Sequence, residues 1–163
     1  MSDWVLLLGG STGHGAATAK RLAKEGYGII AFHFDRGAAK KIAEETISEV
    51  KAITKDRCYY FNTNAASEET MDKYMPQIKE ITSGNSIKLL LHSIAFGTTT
   101  NFFGEKPVTQ RQMDMTVHVM GNSLLYWTQK SLAADLIGHG TRILGLTSEG
   151  NYLAMEGLSL IHI

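Results

Sequence analysis

Gly9, Gly13 and Gly15 lie between an apolar run, Trp4-Val5-Leu6-Leu7-Leu8, and an alanine-rich stretch that opens with Ala16-Ala17-Thr18-Ala19. The intervening residues are Gly10, Ser11, Thr12 and His14. Read as strand, glycine turn and helix, this arrangement is suited to holding an anion. Gly9 lets the chain leave the strand in a tight turn, and Gly13 and Gly15 have no Cβ to keep a pyrophosphate or the strand away from the helix start. The free N–H groups and positive end of that helix favour a phosphate. Asp35 follows at the end of a second apolar run, twenty residues past Gly15. A carboxylate there accepts hydrogen bonds from ribose hydroxyls, which favours NAD, whereas Arg36 beside it can pair with the extra phosphate of NADP. Either cofactor fits these residues, and the carboxylate tilts the reading to NAD. Asn62 and its neighbour Thr63 can hydrogen-bond an adenine edge, and a polar turn that caps the strand is the equal alternative. His92, Ser93, Ile94 and Ala95 would run beside the nicotinamide half, although His92 also reads as a satisfied core histidine.

The elements that must position these residues are legible as alternating apolar and amphipathic stretches. Strands are expected at 4–8, 28–34, 57–61, 87–92 and 142–147, and helices at 13–24, 38–54, 67–81 and 110–136. Ile42, Ile47, Val50 and Ile53 mark the expected buried side of the second helix, and Ser67 its successor's N-cap. A long irregular stretch, 93–107, separates the fourth strand from the last helix, and loops of that length are often functional. The alternation predicts an α/β fold, a doubly wound Rossmann-type parallel sheet in three α/β/α layers with about five strands present. Right-handed crossovers then bring the polar and glycine clusters to one edge of the sheet.

Bulk properties narrow the function classes. The chain has 163 residues, 44% hydrophobic and 20% charged, with 16 basic and 16 acidic side chains. The balanced charge offers no footing for nucleic acid or an anionic membrane. No apolar run is long enough to span a bilayer, and no metal-ligand spacing stands out. The single cysteine, Cys58, is expected to be a buried structural thiol in a reducing compartment. The N-terminus has neither the basic start nor the apolar core of a secretion signal, so a cytoplasmic protein is expected.

The glycine loop, Asp35, the segment Leu91-His92-Ser93-Ile94-Ala95-Phe96-Gly97 and the ending Leu146-Thr147-Ser148 together resemble the short-chain dehydrogenase/reductase family. His92-Ser93-Ile94-Ala95-Phe96 is similar to the corresponding segment of the enoyl-[acyl-carrier-protein] reductase branch. That resemblance implies NADH- or NADPH-dependent reduction of the double bond of an enoyl thioester in fatty-acid synthesis. The substrate would be a small molecule or an acyl group carried on a protein. A ketoreductase or alcohol dehydrogenase of the same superfamily, or a non-catalytic dinucleotide-binding sensor, are the alternatives. The resemblance places Ser148 at the substrate-orienting serine. His118 takes the place of an asparagine that helps hold a water chain, and a packed helix-face histidine is the alternative there. Phe96, Phe102, Phe103, Met113, Met115 and Met120 are candidates to line an acyl channel.

The family also uses a tyrosine acid and a nearby lysine. The expected tyrosine position holds Leu158, with Tyr152 nearby; the lysine position holds His162 in the Tyr-x3-Lys form and falls past Ile163 in the Tyr-x6-Lys form of enoyl reductases. The expectation is therefore an incomplete dinucleotide-binding domain over 1–157, C-terminally truncated, followed by a non-family tail over 158–163. Such a chain would bind cofactor weakly and catalyse nothing by itself, and its fifth strand would be an exposed apolar edge. The full-length form is expected to be a homotetramer paired through helix 110–136.

Overall fold

The structure, a computed structural model, describes residues 3–55 and 57–148. The positions expected for the tyrosine and lysine, together with Tyr152, the boundary at 157 and the tail 158–163, lie outside the described residues.

Five strands alternate with helices. β1 (Trp4–Leu8), β2 (Gly28–His33), β3 (Cys58–Asn62), β4 (Ile87–His92) and β5 (Arg142–Gly145) form one sheet in the order β3-β2-β1-β4-β5. Every pairing is parallel. The order reverses direction between β1 and β4, so a crevice opens at the carboxyl ends of those two strands. This is the doubly wound α/β fold.

β1 is apolar and buried throughout, and the only polar residues of β2 and β4 are His33, Lys88 and His92, because both faces of the sheet centre are covered. Successive side chains point to opposite faces. Val5, Leu7, Ile29 and Ala31 pack against Ala19 and Ala23 of α1 (Gly13–Lys24) and Val50 of α2 (Ala38–Thr54). Trp4, Leu6, Leu8, Ile30 and Phe32 meet Met71, Met75 and Ile78 of α3 (Glu68–Thr82) and Trp127 of α5 (Ser123–Ala133). The two helical layers therefore follow from strand alternation.

Four local expectations are corrected. The buried stripe of α2 is Ala43, Thr46 and Val50, while Ile42 and Ile53 are exposed. Small residues win there because α2 lies close against α1, an approach that Lys20 and Glu49 bridge at 2.7 Å. Ser67 takes the N-cap position of α3 but makes no side-chain capping bond. Cys58 is half-buried rather than buried, because β3 is an edge strand. The long helix expected at 110–136 is three pieces: α4 (Gln110–Val117), a π turn (His118–Asn122) and α5. α5 ends at Ala133 because Asp135 turns left-handed (φ 57°) and Ile87 N–H takes the Leu136 carbonyl at 2.8 Å. Among the described residues β5 is the other edge strand. All four of its residues are exposed, and Ile143, Leu144 and Leu146 present apolar surface.

Candidate dinucleotide site

The glycine turn is built by close approach. Gly9 has φ 91°, a conformation that favours glycine, and a Cβ on it would lie 2.3 Å from the Ser93 carbonyl oxygen. A Cβ on Gly15 would lie 1.8 Å from the Gly9 carbonyl oxygen. The first turn of α1 therefore touches the turn that precedes it, and that turn touches the end of β4. Gly9 N–H and Gly10 N–H both donate to the Phe32 carbonyl, at 2.8 and 3.1 Å, and Ser93 N–H donates to the Leu8 carbonyl at 2.7 Å. Three strand ends are tied together in this way.

Thr12 is the N-cap of α1 in extended conformation, and its side chain makes no capping bond. The first helical bond is Ala16 N–H to the Thr12 carbonyl at 3.1 Å. The N–H groups of Gly13, His14 and Gly15 have no acceptor among the described residues, which leaves orphan donors at the positive helix end. A phosphate group fits that donor set.

A cavity of about 460 Å³ opens at this crevice. Gly9, Ser11 and Thr12 line it from the β1 end, and His33, Phe34, Asp35 and Arg36 from the β2 end. Thr63, Asn64 and Ala65 follow β3, and Ser93, Ile94, Ala95 and Phe96 follow β4. Met115 of α4 and Val119 of the π turn close one side. Most residues singled out by the sequence thus converge on one space. Gly13, His14 and Gly15 shape its wall through α1 without lining it.

Asp35 is held from two sides. His33 Nδ1–H donates to Asp35 Oδ2 at 2.7 Å. Asn62 exchanges two bonds with the Asp35 backbone, Asp35 N–H to Oδ1 and Nδ2–H to the Asp35 carbonyl, both at 3.2 Å. Asn62 was expected beside adenine, but its amide is spent on Asp35, and Thr63 and Asn64 face the cavity instead. Arg36 lies over the Phe34 ring, its guanidinium carbon 4.4 Å from the centroid.

His92 was expected on the nicotinamide side. Its ring is instead buried, with Nε2–H donating to Ser123 Oγ at 2.8 Å while Ser123 Oγ–H donates to the Val119 carbonyl at 2.8 Å. Burial holds this imidazole below its ordinary range, so it is neutral and part of the core. Its neighbours Ser93, Ile94 and Ala95 do reach the cavity.

His118 also points elsewhere. Its Nε2–H donates to the Ala66 carbonyl at 2.8 Å, and Trp127 Nε1–H donates to the Ala65 carbonyl at 2.7 Å. Both side chains pin the turn between β3 and α3. Their effect on the cavity is made through that turn. Ser148 is exposed beyond β5 and is not in the lining. Phe96 and Met115 are half-exposed apolar walls of the cavity, whereas Phe102 and Phe103 face each other in the 93–109 loop, with ring centroids 6.4 Å apart. Burial pushes the Cys58 thiol up, as expected of a structural thiol.

Two features were missed in the sequence. The His33–Asp35 pair follows from i, i+2 spacing on an extended chain, a signal that was present. Thr109 and Gln112 form a reciprocal capping box that starts α4, visible as Thr-x-x-Gln. Among the described residues no group of three or more His, Cys, Asp or Glu side chains gathers as a metal site, and no helix is long and apolar enough to cross a membrane.

Comparison with known proteins agrees with this geometry. Among curated proteins no sequence matches. A short-chain dehydrogenase/reductase from Serratia marcescens superposes with a TM-score of 0.76 at 21% identity, over 98% of this chain and 61% of that one. FabI from Alistipes finegoldii superposes with a TM-score of 0.77 at 17% identity, over 98% of this chain and 58% of that one. The chain therefore spans about three-fifths of the length of these structures. At such identities the likeness is one of fold. The family model for short chain dehydrogenase matches residues 3–159. With nearly its whole length matched, the chain belongs to the short-chain dehydrogenase family, oxidoreductases that generally bind NAD or NADP.

Proposed function

We propose that the cavity binds a nicotinamide dinucleotide, NAD(H) in preference to NADP(H), and that a form carrying the family's tyrosine and lysine reduces the double bond of an enoyl thioester, this chain catalysing nothing by itself. One observation carries the binding half. Four strand ends place a phosphate-suited helix start, an acidic corner and a polar turn around one space of about 460 Å³. The N–H groups at the start of α1 would hold the pyrophosphate, and Asp35 would accept ribose hydroxyls. Thr63 would edge the adenine, and Ser93, Ile94 and Ala95 would run beside the nicotinamide half. Bound cofactor would supply the hydride.

The enoyl half is supported by His92-Ser93-Ile94-Ala95-Phe96 and by the name of the Alistipes neighbour. Phe96 and Met115 give the cavity an apolar flank from which water is excluded as an acyl chain enters. In this reading the acyl group arrives on acyl carrier protein, the enzyme is cytoplasmic, and Ser148 orients substrate. Exposed Leu125 and Leu132 on α5 support pairing of subunits through that helix in a homotetramer.

Titration with NADH and NADPH, read by quenching of tryptophan fluorescence, tests the binding half. Saturable binding, with NADH the tighter ligand and weakened about tenfold by Asp35→Ala, is expected. Absence of saturation by either dinucleotide at millimolar concentration would overturn it. On a chain that carries the family's tyrosine and lysine, consumption of NADH with a crotonyl thioester but not with an acetoacetyl thioester is the expected activity. The reverse pattern would make the enzyme a ketoreductase.

A further inference from the structure

Four consecutive residues at the end of β2 form two pairs on opposite sides of an extended chain. His33 and Asp35 share one side, joined Nδ1–H to Oδ2 at 2.7 Å. Phe34 and Arg36 share the other, stacked at 4.4 Å. All four line the cavity. The backbone beneath them is fixed by the Asn62 clamp and by Thr63 N–H, which takes the His33 carbonyl at 2.7 Å. The Asp35 carboxylate therefore has one oxygen committed, and Oδ1 has no hydrogen-bond partner among the described residues. His33 is the more deeply buried partner, its side chain 6% exposed against 14% for Asp35.

We infer that His33 is a positioning residue that decides which dinucleotide this corner accepts, an inference that rests on reading the cavity as a dinucleotide site. Through Nδ1–H it turns Oδ1 into the single acceptor offered to a ribose hydroxyl. By holding Oδ2 it keeps the Asp35 carboxylate turned to the cavity, where its negative charge disfavours a 2′-phosphate. Without that hold the carboxylate is free to turn away, and Arg36 meets the phosphate unopposed.

Few other groups reach this pair. From β3, Tyr60 sets its ring against the imidazole at 6.1 Å, and burial pushes its phenol well up, so it stays neutral throughout. From the β2 end the charged groups are Asp35 and Arg36. The lining residues of the β1 and β4 ends carry no charged side chain, and His14 of α1 is exposed and outside the lining.

The test is the ratio of NADPH to NADH dissociation constants for the 163-residue chain, measured by titration calorimetry. His33→Leu removes the donor and should weaken NADH ~10-fold and lower the ratio by a similar factor. His33→Gln keeps an N–H donor and should restore both to within about 3-fold of wild type. A thermal melt shows which variants are folded, and if His33→Leu fails to fold, His33→Phe takes its place. A folded variant without the donor that keeps the wild-type ratio overturns the inference and leaves the dinucleotide site standing. Failure of wild type to bind either dinucleotide overturns both.

Discussion

Replacing Gly15 by alanine tests whether the close approach of α1 to the glycine turn is structural. In a free helix the change would be stabilising, by up to ~1 kcal/mol. Here the new Cβ lies 1.8 Å from the Gly9 carbonyl oxygen, so one of the two must move by more than an ångström. The Gly9 side is boxed in. Its N–H is bound to Phe32, its φ is 91°, and its other flank meets the Ser93 carbonyl. The helix must therefore shift outward against α2. Overpacking of this kind costs ~1–3 kcal/mol, which exceeds the helix gain. For a domain of this size a net loss of ~1–2 kcal/mol lowers the melting temperature by about 5 °C. Shifting the helix also moves its N–H groups, so NADH affinity should fall as well. Gly13→Ala is the control. Open space surrounds that position, and only its φ of 53° is strained, so a smaller loss is expected. Thermal melts and NADH titrations of the three proteins decide the matter. A Gly15→Ala protein as stable as wild type, with unchanged affinity, would refute the reasoning.

Ser123→Ala should cost ~1–3 kcal/mol by urea denaturation, because the buried His92 Nε2–H loses its acceptor. Stability should also depend on His92 through pH. Burial lowers this imidazole below its ordinary 6.5, so the unfolded chain takes up the proton first. Stability is then full above that value and declines as pH falls below it, and His92→Gln should flatten this part of the urea-midpoint profile. Trp127→Phe leaves the Ala65 carbonyl without its donor at 2.7 Å, and faster amide exchange across 64–66, with weaker NADH binding, is the expected result.

Much of the site was legible because glycine and strand patterns are local. The apolar runs at Trp4–Leu8 and Ile87–His92 have the observed strand bounds, since a doubly covered strand has little room for polar residues. The glycines at 9 and 15 were legible because no other residue permits their contacts. Partnerships were less legible. His92 carries the same residue type whether it faces a cofactor or Ser123, and only the packing of α5 chooses. Asn62 is a plausible adenine neighbour until β2 and β3 pair, after which His33↔Asn62 register puts its amide beside Asp35. The buried face of α2 was misread because small residues count for little in a periodicity search, although close helix packing selects them.

The π turn at His118–Asn122 adds one residue to what would otherwise be a single unbroken helix. Each residue of an α-helix advances the azimuth by about 100°. One surplus residue therefore re-clocks everything after it by about that angle, and Ser123, Trp127 and Ser131 all come to face the sheet. Winding that turn as regular α-helix with every residue kept would be a phase error: it would rotate the indole off Ala65 and the hydroxyl off His92 together, whereas excision of Gly121 would remove the surplus residue and leave both in phase. Two contacts far apart in sequence therefore depend on how one turn is wound.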